Sequence, residues 1–81
     1  MTQRARCERT ERILIARLEE LARALERSGA PNPAITQLLG SASIATMNAV
    51  ALNLISADAA DEIWRDAAER HPELAPVRRA A

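Results

Sequence analysis

The sequence predicts an all-α fold: a helical hairpin plus a third helix, packed as a small helical bundle that oligomerisation completes. Three observations carry this expectation. Leu14, Leu18, Leu21 and Leu25 recur at steps of 4, 3 and 4, the spacing of a heptad seam. The 30 residues from Ser28 through Ala57 contain no charge, while all 22 charges of the chain lie in the flanks on either side. Ala60, Ile63, Trp64, Ala67, Ala68 and His71 then form an unbroken helical stripe, in which i, i+3, i+4 and i+7 neighbours share one face.

The first helix is expected over residues 5–28, a stretch of strong helix formers without Gly or Pro. Ile13, Ile15 and Ala22 widen its apolar face, and Arg12, Arg17, Glu19, Glu20, Arg23, Glu26 and Arg27 supply a solvated one. Glu19 and Arg23 are spaced as a favourable i, i+4 pair. Gly29 suits the left-handed position after a helix, Asn32 suits an N-cap, and Pro33 suits the first helical position. So short a connection predicts an antiparallel hairpin.

The second helix is expected over residues 33–55, with a possible bend at Gly40 and Ser41. One stripe on it, Ile35, Leu38, Ala42, Ala45, Ala49 and Leu52, is rich in small residues that permit close helix approach. Another, Met47, Val50, Ala51, Leu54 and Ile55, is bulkier. A helix apolar on two faces calls for two neighbours. The uncharged run is long enough for a bilayer, but Asn32, Gln37, Asn48 and Asn53 lie within it, so the expected cover is protein rather than lipid. On that reading Ala49→Glu and Leu52→Glu both place an unpaired charge in a dry helix and both disrupt the protein.

Ser56 reads as the N-cap of a third helix over 57–71, with Asp58, Asp61 and Glu62 where carboxylates favour a helix N-terminus and Pro72 as the stop. Residues 1–72 are expected to form one domain. Residues 73–81 are expected to be a loosely docked or disordered tail, with Leu74 and Val77 as its only anchors.

Composition narrows the function. Eleven Arg balance 11 acids and no Lys occurs, so little repulsion separates copies of the chain and nucleic acid is not the obvious partner. The absence of Lys with abundant Ala suits a GC-rich bacterial source. Residues 1–27 carry net +2 and residues 58–81 net −2, so the flanks attract. A core of 81 residues commonly needs a staple, and a single Cys with no Cys/His set leaves association as the usual one. A polar start and an unpaired Cys7 point to the cytoplasm.

Few residues could do chemistry. Cys7 and His71, the sole thiol and the sole imidazole, could form a nucleophile and base if the two ends met. The simpler reading makes Cys7 a small hydrophobe continuing the Leu seam, and His71 a helix terminator. Asp58, Asp61, Glu62 and Asp66 lack the glycine-bearing loop or convergent histidine of a metal site. No catalytic, cofactor or metal residue is therefore assigned. Trp64, the only aromatic residue, is expected in a core or an interface, its indole N–H satisfied by Asn48 or Asn53, one of which also sets helix register.

The segment Ile35–Ser41 resembles the first helix and turn of a helix-turn-helix DNA reader. Its would-be recognition helix, Ala42–Ile55, carries no Arg or Lys for phosphates or guanine. Arg4, Arg6, Arg9 and Arg12 alone could meet a backbone, diluted by Glu8 and Glu11. The turn Ala30-Pro31-Asn32-Pro33 resembles the proline-flanked turn of type III secretion needle subunits and their small helical chaperones. That resemblance covers the turn alone and transfers no residue roles.

The expectation is thus a non-enzymatic helical interaction protein, such as a small bacterial adaptor, co-chaperone or self-assembling subunit, acting through apolar helix faces. Its expected partners are itself and another protein, with neither nucleic acid nor membrane. Leu14, Leu18, Leu21, Leu25, Ile35, Leu38, Ala42, Ala45, Ala49, Leu52 and Trp64 are the expected interface. The alternative is a small regulator that contacts nucleic acid through its Arg-rich N-terminal segment.

Overall fold

A computed structural model describes residues 3–29 and 32–74, with the side chains of the first helix described from Cys7 onward. Three α-helices follow in order: α1 Gln3–Ser28, α2 Pro33–Ala51 and α3 Ala57–Arg70, with a 3-10 turn at Pro72–Leu74. No strand occurs among the described residues. The bundle is 41 Å long, close to the ~39 Å that a helix of the length of α1 spans at 1.5 Å per residue.

The helix ends form where residue chemistry places them. Gly29 takes φ +71° and its N–H donates to the Leu25 carbonyl at 2.9 Å, a left-handed termination for which glycine carries no Cβ penalty. Asn32 Oδ1 accepts from the Ile35 N–H at 3.1 Å and Ser56 Oγ accepts from the Ala59 N–H at 3.0 Å. Each satisfies a donor that the first helical turn leaves unpaired. Ala30 and Pro31 of the expected turn lie outside the described residues.

α1 is the spine. Leu14, Leu18, Leu21, Ala22 and Leu25 are all buried, Leu18 and Leu21 to within 1% of complete. Leu18, Leu21, Ala22 and Leu25 pack with Ile35, Ala42, Ala67 and Leu74, and Leu14 packs with Ala49, Ile55 and Ala60. These pairings set the direction of each helix. α2 meets the far end of α1 first and runs antiparallel to it; α3 starts beside Leu14 with Ala60, joins the Leu18–Leu25 cluster with Ala67 and runs parallel to α1. Each fully buried Leu contributes about 2 kcal/mol of transfer free energy. Glu19 meets Arg70 of α3 at 4.0 Å, and Arg17 donates to Ser41 Oγ of α2 at 2.8 Å.

Several expectations are corrected. α2 ends at Ala51 rather than Ile55, because Asn53 adopts φ +57°. The Leu54 N–H then donates to the Ala49 carbonyl at 2.9 Å and the Asn53 N–H to the Val50 carbonyl at 3.0 Å, the paired bonds of a Schellman termination. Within one chain neither Asn48 nor Asn53 sets register, since both side chains are exposed. Finally, α1 and α3 cover only the inner face of α2. Ile44, Met47 and Leu52 are 59%, 69% and 70% exposed, so within one chain the uncharged helix is dry on one side and wet on the other.

The C-terminal turn docks by one residue. Leu74 is buried under the Leu18–Leu25 stretch, while Val77 and the rest of 75–81 lie outside the described residues.

A candidate interaction groove between α2 and α3

α2 and α3 both rest on α1 but barely touch each other along their outward sides. An open groove of about 940 Å³ lies between them. Small residues line it on both helices, Ser43 and Ala51 on α2 and Ala57 and Ala60 on α3, and side chains of one or two heavy atoms cannot bridge two helix surfaces. Met47 and Val50 form the α2 wall, Asp58 and Asp61 the rim on α3.

Trp64 also lines the groove, half-buried, with its ring packed against the Leu18–Leu25 cluster. Its indole N–H donates to Thr46 Oγ1 at 3.0 Å, and Thr46 Oγ1 donates in turn to the Ala42 carbonyl at 2.8 Å. This two-bond chain ties the outer edges of α2 and α3 together and holds the ring in one orientation. The expected partners, Asn48 and Asn53, are replaced by Thr46, which lies on the side of α2 that faces α3.

The groove adjoins the exposed face of α2. Gly40, Ile44, Met47 and Ala51 stand at steps of 4, 3 and 4, the spacing of the Leu seam on α1, and Met47 and Ala51 belong to both the face and the groove. No charge lies on this face. Charges lie at its margins: Asp58 and Asp61 on the opposite wall of the groove, with Arg65 3.6 Å from Asp61 in an exposed i, i+4 contact, and Arg17, which donates to Ser41 Oγ.

The residues expected at an interface separate into two groups. Leu14, Leu18, Leu21, Leu25, Ile35, Ala42 and Ala49 are buried by the chain's own helices, with Leu38 and Ala45 half-buried beside them. Leu52 is exposed, because α2 stops before it and Ile55 completes the cluster with Leu14, Ala49 and Ala60. Trp64 lies between core and groove. Ile44 and Thr46 were not among the expected site residues. The spacing 40, 44, 47, 51 could have signalled Ile44; the bond from Trp64 to Thr46 has no sequence signature.

Cys7 and His71 do not meet. His71 caps α3, its N–H donating to the Ala67 carbonyl at 2.8 Å and its Nδ1 lying 3.7 Å from Glu73. It follows Arg70, which sits beside Glu19, and Glu19 is about 18 Å along α1 from Cys7. No group of three metal-ligating residues gathers among the described residues. None of the described helices is long and apolar enough to cross a membrane. No protein-family model, curated protein or solved structure matches the chain.

Proposed function

We propose that this chain is a non-enzymatic helical interaction protein, an adaptor or assembly subunit that receives an apolar helix on the outer face of α2 and in the adjoining groove. One observation carries the reading: Ile44 and Met47, 59% and 69% exposed, stand at a groove that Met47 lines together with Ala51, Ala57 and Ala60. Large unburied side chains next to an unfilled apolar hollow on a charge-free face mark a contact surface, since monomers rarely leave such patches to water. The mode is helix in groove, with apolar anchors at helical spacing supplying the drive.

Trp64 is the anchor on the receiving side, a half-buried indole in a fixed orientation at the groove edge. The fold also separates the chain's sole thiol from its sole imidazole. That separation supports the non-enzymatic reading.

Trp64 provides the test as the only tryptophan. Its emission is followed while the protein is concentrated, and while amphipathic helical peptides with a leucine face are added. A saturable blue shift in either titration, lost in Met47→Glu, supports the reading. A featureless response in both defeats it.

A further inference from the structure

We infer that the helix received in the groove is α2 of a second copy of this chain, in a two-fold dimer in which Ile44 and Met47 of each protomer enter the α2/α3 groove of the other. The inference rests on the reading of this face as a helix-docking surface and names its occupant.

Shape is the first argument. A two-fold contact is self-complementary, so one face must carry both the projecting and the receiving features. Here Ile44 and Met47 project from α2, and Met47 also lines the hollow together with Ala51, Ala57 and Ala60.

Charge is the second. α2 bears no ionised group anywhere from Pro33 to Ala51, so one α2 laid on another brings no charges together, and the ionised groups lining the groove are Asp58 and Asp61, both exposed. The chain as a whole has zero net charge, which removes long-range repulsion between copies. A basic partner helix would gain only the rim carboxylates Asp58 and Asp61, one of which Arg65 already attends. The face itself has nothing to select a charged partner, whereas α2 is a helix whose uncharged length matches it.

The experiment is sedimentation equilibrium of the full chain over a dilution series, with helicity followed by circular dichroism. The expected mass is twice the 8.8 kDa of one chain, with a dissociation constant little changed by salt, because the contact is apolar. Met47→Glu and Met47→Lys each weaken the dimer by at least about 100-fold while helicity persists, because an unpaired charge of either sign is costly to bury. Arg23→Glu, an exposed change on α1, leaves the mass unchanged. Should a charged variant lose helicity, Ile44→Ser and Met47→Ser provide the same comparison.

A wild-type chain that stays monomeric while its Trp64 emission still saturates with a foreign helical peptide overturns the second copy as occupant and leaves the docking reading standing. A dimer indifferent to every Ile44 and Met47 variant places the contact elsewhere and also overturns the inference. A monomer that binds no peptide defeats both.

Discussion

Trp64 and Thr46 are joined by a single hydrogen bond, indole N–H to hydroxyl at 3.0 Å, across the seam where α2 and α3 otherwise diverge. The bond costs the helix little, since the Thr46 hydroxyl keeps its own donation to the Ala42 carbonyl. Thr46→Val preserves shape and removes the acceptor. We expect a loss of about 1 kcal/mol, the usual worth of a neutral hydrogen bond at a half-buried site, read as a lowered midpoint in urea. Thr46→Ser retains the hydroxyl and should recover most of that loss; equal destabilisation by both variants would show that the methyl group, not the bond, matters.

Leu21 is the most enclosed large side chain, with 0% exposure. Leu21→Ala is expected to cost about 3 kcal/mol, the sum of lost transfer energy and an uncollapsed cavity. In so small a domain that is a large share of total stability. Thermal or chemical unfolding measures it directly, and a loss below about 1 kcal/mol would mean that α1 is not the spine.

Asn53 ends α2 by adopting φ +57°. Glycine accepts that conformation freely, so Asn53→Gly should change stability by less than about 0.5 kcal/mol. Asn53→Val places a β-branched residue in the left-handed region and should cost roughly 1–2 kcal/mol. Unfolding midpoints of the two variants that coincide would contradict the Schellman termination as the reason α2 stops.

Ala49 and Leu52, three residues apart on the uncharged run, separate in the structure. Ala49 is 5% exposed and Leu52 is 70% exposed. Ala49→Glu drives a carboxylate between α2 and the Leu14 cluster and is expected to cost more than about 3 kcal/mol, enough to unfold much of the protein. Leu52→Glu lies outside that cluster and should alter the stability of a single chain by no more than about 0.5 kcal/mol. Far-UV circular dichroism distinguishes them, and equal loss of helicity in both would restore the expectation from sequence that they share one dry face.

The places where sequence reasoning stopped short have a common cause. Leu52 and Ile55 are equally apolar, and periodicity along a continuous helix assigned Leu52 to the inner stripe; the turn at Asn53 ended that helix and brought Ile55 in beside Leu14 instead. Asn48 looked costly inside a helix covered on two faces, but it lies on the face of α2 that the chain leaves open. Periodicity shows that a helix has apolar faces. It does not count how many neighbours the chain itself provides.

By itself the sequence determined the three helices, their caps at Asn32 and Ser56, the left-handed end at Gly29 and the Leu14–Leu25 seam, because each depends on residues within one or two helical turns of one another. Only the tertiary structure decided the rest: which face of α2 meets α1, that α3 returns parallel to α1 and so parts Cys7 from His71, and that Thr46 holds Trp64 beside an open groove. Those are relations between residues distant along the chain. They follow from how side-chain volumes fit once the helices meet, and the small residues Ser43 and Ala51 on α2 and Ala57 and Ala60 on α3 fit by leaving a space.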